Sequence, residues 1–172
     1  MNYKRVVLIG FRGAGKSTLA KLLAEHLGWD YISTDSQVEQ KHHETIAEMV
    51  RKSGWEKFRQ AEHEIINSLK NITAVVIDCG GGIIEDPENI KLLERQSLIV
   101  WVDADTHDLN KRIRDDRIER PLLTRKDMSA DIRENYQRRR PLYEKYADFR
   151  VNSSHSSPEQ LCRVIIQKLR DG

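Results

Sequence analysis

The 172-residue chain carries 29 lysines and arginines against 27 aspartates and glutamates, so its formal net charge is only +2. That small charge argues against bulk electrostatic binding of nucleic acid or a membrane as the main activity. Cys79 and Cys162 have neither metal-ligand spacing nor the density of a disulfide scaffold. We therefore expect one domain over residues 1–172, in a reduced, cytoplasmic compartment, without a signal peptide or membrane span.

A phosphate-binding pattern, G-x-x-x-x-G-K-[ST], occurs near the start of the chain in residues 10–17, GFRGAGKS. The apolar run Arg5–Ile9 before it predicts a buried parallel strand. Apolar residues at helical spacing follow from Thr18 to Leu27, and Gly28 ends that predicted helix. Such a loop presents backbone N–H groups and a helix N-terminus to phosphate, with Lys16 on the outer phosphates and Ser17 on magnesium. We expect the nucleotide to contact Gly13, Ala14, Gly15, Lys16, Ser17 and Thr18.

Strands and helices alternate along the remaining chain. The predicted strands are Asp30–Ser33, Thr73–Asp78, Ser97–Val102 and Asp148–Val151. One or two short helices are predicted between Ser36 and Lys52, with a break at Gly54. The further predicted helices are Trp55–Lys70, Pro87–Arg95, a helix from Asp105 or Thr106 to Asp115, Met128–Tyr146 with a kink or boundary at Pro141, and a last helix begun by a capping box at Ser157–Gln160. This alternation predicts an α/β fold with a parallel sheet covered by helices on both faces.

Ligands of such sheets bind where the strands end. The strand ends here carry the phosphate loop, the segment Ser33–Asp35, Asp78 followed by Gly80–Gly82, and Asp103. Asp78 is the favoured second magnesium group beside Ser17, because three glycines after it indicate a backbone that something approaches closely. Asp103 is the rival candidate, and either aspartate could instead only cap the turn that follows its strand.

Arginines are concentrated in two further segments. Arg112, Arg114, Arg117 and Arg120 precede a Pro-Leu-Leu sequence, and they indicate either a solvated face or a mobile lid that closes over the phosphates. Arg138–Arg140 lack interleaved aromatic residues, so they are weak evidence for nucleic-acid binding. The six histidines show no metal-ligand spacing.

A series of motifs in this order and spacing resembles the shikimate kinase family over nearly the whole chain. The series consists of the phosphate loop, Asp35 with Val38-Glu39, the sequence FRQAE at 58–62, Gly80–Gly82, the sequence RPLL at 120–123 and the sequence RRPLY at 139–143. The resemblance implies a phosphate-loop, nucleoside-monophosphate-kinase-like fold with a five-stranded parallel sheet. It also implies a substrate-binding helical segment over residues 33–62 and a mobile lid over residues 112–126.

The resemblance further implies transfer of the ATP γ-phosphate to the 3-hydroxyl of shikimate, with Mg²⁺ as cofactor, by a monomer that binds neither nucleic acid nor membrane. By position, Lys16, Asp35 and Arg120 are implied as catalytic, with Asp35 contacting the accepting hydroxyl. Arg59, Arg139 and the Gly81 backbone are implied as shikimate contacts, with Glu62 holding Arg59. Arg114 and Arg120 are implied as nucleotide contacts, and Ser17 and Asp78 remain the predicted metal residues.

Some positions differ from the family pattern, and they leave the acceptor open. The usual Asp-x-Asp is Ser33-Thr34-Asp35 here, a pocket aromatic is replaced by Val50, and Gly-Glu before the FR motif is replaced by Gly54-Trp55. The alternatives are a kinase of another hydroxylated acid such as gluconate, a nucleotide kinase, or a phosphate-loop regulatory switch or nucleic-acid-binding ATPase. No Asn-Lys-x-Asp guanine motif supports the switch.

Overall fold

The computed structural model describes residues 3–116 and 127–172. Five parallel strands form one sheet in the order β2-β3-β1-β4-β5, with helices on both faces. The strands are β1 (Arg5–Ile9), β2 (Asp30–Ser33), β3 (Val75–Asp78), β4 (Ser97–Asp103) and β5 (Phe149–Asn152). The helices are α1 (Lys16–Leu27), α2 (Thr34–His42), α3 (Ile46–Leu69), α4 (Pro87–Glu94), α5 (Thr106–Asp115), α6 (Met128–Tyr146) and α7 (Pro158–Asp171), with a 3₁₀ turn at Ile83–Glu85.

The predicted fold class is confirmed, and the burial of the strands explains why it could be predicted. Every residue of β1, β3 and β4 is buried, because these three strands lie inside the sheet and are covered on both faces. The edge strands β2 and β5 are only partly buried. Within the described ranges, no helix is both long and apolar enough to cross a bilayer.

Several element boundaries differ from the predictions for identifiable backbone reasons. Helix α1 begins at Lys16, two residues before the predicted start, because Gly15 is its N-cap. Strand β3 begins two residues late, at Val75, because Ala74 has a left-handed φ of 54°. The predicted break at Gly54 is confirmed, because its φ of 81° and ψ of 172° are not helical and divide α3 into two parts. Helix α6 spans Met128–Tyr146 as predicted and continues through Pro141, so of the two alternatives at that residue a boundary is excluded and a kink stays a prediction.

The strand order brings the predicted functional segments to one edge of the sheet. The phosphate loop follows β1 at the centre, and β3 beside it ends at Asp78. Strand β2 lies beyond β3, with Ser33 opposite Asp78 in the register of the two strands. The loop, Asp78 and the segment Ser33–Asp35 are therefore neighbours at the carboxyl ends of the strands.

A buried arginine stabilises the other end of the sheet, where the strands begin. The Arg5 guanidinium is 1% exposed and donates hydrogen bonds to the carbonyls of Leu69, Leu92, Leu93 and Arg95 and to the Ser97 hydroxyl. These carbonyls lie at the C-terminal ends of α3 and α4. The last carbonyls of a helix accept no hydrogen bond from an N–H group of the same helix, so they need a donor from elsewhere. One planar group with several donors thereby joins two helices to β1 and β4.

Replacing Arg5 by Met should lower the free energy of unfolding by about 3 kcal/mol, because several buried carbonyls lose a charged donor together. Urea unfolding followed by circular dichroism measures the change, with Lys4→Met on the exposed neighbouring side chain as the control. Equal midpoints for the two variants would contradict the role assigned to Arg5.

Candidate active site

The phosphate loop takes its shape from glycines at its two ends. Gly10 has φ 149°, and a Cβ at this residue would stand 2.1 Å from the Val102 carbonyl oxygen on β4. Gly15 has φ 88° and is the residue before the first turn of α1. No other residue type fits the close approach at Gly10, and the left-handed conformation at Gly15 also favours glycine. The loop can therefore turn sharply from β1 into α1 and point the N-terminus of α1 at the strand ends.

The Phe11 carbonyl oxygen organises the interior of the loop. It accepts hydrogen bonds from the Lys16 ammonium at 3.0 Å and from the Ala14 N–H at 3.2 Å. The side chains of Lys16 and Ala14 are both buried. Lys16 is thus held at the base of the loop, where its charge reinforces the positive end of α1.

Ser17 and Asp78 lie in direct contact across the loop and β3. The Ser17 hydroxyl donates to the Asp78 carboxylate at 2.5 Å, and the Tyr31 hydroxyl lies 3.5 Å from the same oxygen. Burial, together with the charge of Asp78, raises the pKa of Tyr31. A hydroxyl and a carboxylate oxygen are the hard donors that Mg²⁺ prefers, and such sites need few protein ligands when phosphates and water complete them. This donor set fits a magnesium ion.

Asp103 does not lie in this arrangement, so it is not the rival that the sequence allowed. Its carboxylate is buried and accepts hydrogen bonds from Tyr136 at 3.0 Å and from Arg150 at 2.7 Å. The Arg150 guanidinium in turn lies 4.6 Å from the ring of Trp101. These partners use Asp103 to join β4, β5 and α6, which is a structural role.

Two adjoining clefts open at the strand ends. The larger has a cavity volume of about 480 Å³ and is lined by the phosphate loop, including Lys16 and Ser17, and by Asp78. The smaller has a cavity volume of about 60 Å³ and is lined by Arg59, Glu62 and Arg139. The clefts share a boundary, because the same five residues line both of them: Arg12, Asp35, Ile46, Gly80 and Gly81. Asp35 is the carboxylate at that boundary.

The two arginines of the smaller cleft are fixed by ion pairs and aromatic faces. Arg59 donates to Glu62 at 2.6 Å, and its guanidinium lies 5.1 Å from the ring of Phe58 and 5.7 Å from that of Trp55. Arg139 lies 5.9 Å from the ring of Phe11. Stacking and pairing reduce the freedom of both guanidiniums.

Charged side chains pack directly onto the backbone of two of the three consecutive glycines, Gly80 and Gly82. A Cβ on Gly82 would stand 2.1 Å from an Nη atom of Arg59, and one on Gly80 would stand 2.5 Å from an Asp35 oxygen and 2.9 Å from a Glu62 oxygen. The Gly80 N–H donates to Thr34 at 2.9 Å, and the Gly81 carbonyl accepts from Tyr143. The close approach predicted from the sequence is therefore made by the protein's own charged groups.

Glu62 is a buried carboxylate whose ionisation is opposed by burial and favoured by Arg59. It is 1% exposed, and one of its oxygens is bonded to Arg59 while no hydrogen bond reaches the other within the described part of the chain. Burial raises the pKa of Glu62 to about 7, against the opposing attraction of Arg59 and with a further contribution from Asp35.

The arginines at the end of α5 divide between two neighbours. Arg112, to which the sequence assigned no contact of its own, donates to the Gly13 carbonyl at 3.2 Å and to the Ser153 hydroxyl at 2.8 Å. It thereby joins the phosphate loop to the segment after β5. Arg114 instead donates to the Ser129 hydroxyl on α6. Arg120, with residues 117–126 of the predicted lid, lies outside the described residues. The sequence placed Arg112 in an arginine-rich segment but did not indicate these contacts, because its partners lie far away along the chain.

Comparisons with known proteins agree with this geometry. The family model described as shikimate kinase matches residues 12–170. The shikimate kinase of Caldicellulosiruptor saccharolyticus is 37% identical over 163 residues, which cover 95% of this chain and 94% of that protein. The shikimate kinase of Bacillus mycoides is 34% identical over 168 residues, covering 98% of this chain and 99% of that one.

Solved structures give the same answer. A shikimate kinase from Acinetobacter baumannii in complex with shikimate has a TM-score of 0.91 at 28% identity, over 98% of this chain and 94% of that one. The shikimate kinase of Aquifex aeolicus has a TM-score of 0.82 at 31% identity, over 96% of both chains.

The raised pKa of Glu62 predicts how the stability of the protein depends on pH. The folded pKa of about 7 exceeds the ordinary value of 4.5, so its stabilising effect is complete below pH 4.5 and is lost as the pH rises through 7. Between pH 5 and 8.5 the free energy of unfolding of the parent should fall by on the order of 2 kcal/mol relative to that of Glu62→Gln, because the glutamine side chain stays uncharged.

Urea unfolding of both proteins across that pH range measures the difference. Glu64→Gln is the matched control, because Glu64 is an exposed carboxylate on the same helix whose pKa is lowered by its hydrogen bond to Lys41. A parallel pH dependence of the parent and Glu62→Gln would contradict the shifted pKa.

Proposed function

The chain belongs to the shikimate kinase family, and from that premise we propose that it transfers the γ-phosphate of ATP to the 3-hydroxyl of shikimate. The observation that carries this proposal is the shared boundary of the two clefts. A phosphate-binding loop faces one cleft, two arginines face the other, and the Asp35 carboxylate stands between them. A phosphoryl donor and an acidic acceptor bound in these clefts meet at Asp35, which is the arrangement that direct transfer requires.

In the smaller cleft, Arg59 and Arg139 bind the carboxylate of shikimate. A planar guanidinium can give two parallel hydrogen bonds to a carboxylate, and both arginines line this cleft with an aromatic ring close by. Glu62 holds Arg59 in place, and the Gly81 backbone supplies a further contact to the substrate. Asp35 accepts a hydrogen bond from the reacting hydroxyl and takes up its proton as the phosphoryl group is transferred.

In the larger cleft, the N–H groups of the phosphate loop and the Lys16 ammonium bind the phosphates of ATP. The binding residues are Gly13, Ala14, Gly15, Lys16, Ser17 and Thr18. Lys16 also stabilises the charge that develops on the transferring group. Arg120 reaches the phosphates from a lid over residues 112–126, Arg114 contacts the adenine, and the segment 33–62 binds the acceptor. The protein works as a cytoplasmic monomer.

Ser17 and Asp78 hold the magnesium ion of Mg-ATP, Ser17 directly and Asp78 through its charge. When bound, the ion neutralises the charge on the β- and γ-phosphate oxygens. Among the described residues, no three His, Cys, Asp or Glu side chains gather into a site of their own. A magnesium site of one hydroxyl and one carboxylate accords with an ion that arrives with its nucleotide.

The proposed function is tested by an ADP-release assay across shikimate, quinate, gluconate and nucleoside monophosphates. Shikimate should give the highest kcat/KM. Arg59→Lys and Arg139→Lys should each raise the KM for shikimate at least tenfold and the KM for ATP less than threefold, because an ammonium cannot form the paired hydrogen bonds. Preference for another acceptor would overturn the function, and weakened ATP binding alone would move that arginine to the nucleotide site.

The contact between Ser17 and Asp78 predicts the magnesium dependence. Ser33 and Asp78 are opposite each other on strands that lie about 4.8 Å apart, so a carboxylate on either strand can supply the charge. Asp78→Ala should raise the magnesium concentration for half-maximal activity at least tenfold, and adding Ser33→Asp should recover much of that loss. Aspartate also keeps the N-cap that Ser33 gives to the Ser36 N–H.

The magnesium titration of Asp35→Asn is the contrasting measurement. This variant should lose phosphoryl transfer and keep the Mg-ATP affinity of the parent, because Asp35 serves the acceptor. A magnesium requirement in Asp78→Ala equal to that of the parent would remove Asp78 from the metal site.

A further inference from the structure

An internal carboxylate occupies the outer side of the arginine pair. Glu85, at the end of the 3₁₀ turn, lies 2.9 Å from Arg139 and 3.5 Å from Arg59 through the same oxygen, Oε2. Its other oxygen, Oε1, accepts a hydrogen bond from Arg138, the residue just before Arg139 on α6. Three guanidiniums from two helices therefore converge on a single carboxylate.

These contacts are electrostatically strong because the groups are partly removed from water. The Arg139 side chain is 6% exposed and Glu85 is 23% exposed, whereas Arg138 is 54% exposed and closes the outer side. Burial alone would raise the pKa of Glu85, yet Arg139 and Arg138 hold it below its ordinary value. Glu85 is thus a permanent negative charge between the two arginines that face the substrate cleft.

From this geometry we propose that Glu85 is a specificity-determining residue that sets the charge of the arginine cleft for a monoanion. The inference rests on the proposed function, in which Arg59 and Arg139 bind a carboxylate. Without Glu85 the pair would carry one more uncompensated positive charge, and an additional unit of charge favours a dianion over a monoanion. With Glu85 in place and Glu62 ionised, three guanidiniums face two carboxylates, so one unit of positive charge remains. A carboxylate balances that charge, whereas a sulfate or a phosphate monoester brings excess negative charge.

Arg138 has a complementary part in this proposal. It contributes a third positive charge through Glu85 and hydrogen-bonds to Asn135 on its own helix at 3.0 Å. Glu134 lines the same outer side of the cleft. Removing Arg138 lowers the positive charge by one unit without touching the stacking of Arg59 or Arg139. Neutralising Glu85 therefore makes the site more positive by one unit, and neutralising Arg138 at the same location makes it less positive by one unit.

The test compares two inhibitors that compete with shikimate at saturating Mg-ATP: sulfate, a dianion, and cyclohexanecarboxylate, a monoanion with a ring. Saturating nucleotide keeps sulfate from the phosphate loop, and pH 8 keeps Glu62 ionised. In Glu85→Gln the ratio of the cyclohexanecarboxylate KI to the sulfate KI should rise at least tenfold. In the double variant Glu85→Gln with Arg138→Gln it should return to within threefold of the parent.

A structural role of Glu85 gives a different result, because loosened arginines would weaken both inhibitors together and leave the ratio unchanged. An unchanged ratio in Glu85→Gln, a ratio that Arg138→Gln does not restore, or sulfate that never competes with shikimate overturns the proposal. Calorimetric titration of both anions gives the ratio without turnover. A parent that binds both anions but does not phosphorylate shikimate would therefore refute the function and leave this inference testable.

Discussion

The ion pair between Arg59 and Glu62 is the interaction on which the acceptor side of the site depends. Glu62 is buried with one oxygen on Arg59, so the pair fixes the guanidinium against the backbone of Gly82. From there Arg59 reaches Glu85, and Glu85 reaches Arg139 on α6. A chain of alternating charges thereby connects α3, the glycine segment and α6. Because a buried carboxylate is costly to ionise, this cleft has a built-in sensitivity to pH.

The same pattern explains why the cleft tolerates so many arginines. Each guanidinium of the substrate pair has an aromatic ring on one face and a carboxylate at its edge, through Phe58 for Arg59 and Phe11 for Arg139. Phe11 belongs to the phosphate loop, so the ring that supports the acceptor side is part of the donor side. The two halves of the site are consequently coupled through packing as well as through Asp35.

The departures from the family pattern acquire physical explanations in the structure. Trp55, where the family pattern has a glutamate, packs against Phe58 with the ring centroids 5.9 Å apart and lies near the Arg59 guanidinium. Ser33 lies opposite Asp78 in the strand register, so the residue that lacks a carboxylate is next to one that has it. The polar groups at this edge therefore come from neighbouring strands, because a parallel sheet brings separate segments of the chain to one place.

The sequence by itself determined the fold class and the phosphate-loop motif, and it predicted the main site residues. Apolar runs for buried strands, helical spacing and the loop glycines are local signals, since each depends on a few consecutive residues. The family resemblance then indicated Asp35, Arg59, Gly81 and Arg139. The sequence favoured Asp78 over Asp103 as a metal residue, but only the tertiary structure shows that Asp78 contacts Ser17 while Asp103 contacts Tyr136, because these partners lie on distant elements.

The contacts of Arg5, Arg112 and Glu85 were likewise invisible in the sequence. Their partners are 26 to 99 residues away, and no spacing rule connects them. A lone arginine or glutamate carries no periodic signal, so its role depends on which carbonyls or charges the fold brings beside it. Local patterns thus determined the strands, the helices and the phosphate loop. Long-range packing determined which charged groups meet, because electrostatic pairing acts through space and not along the sequence.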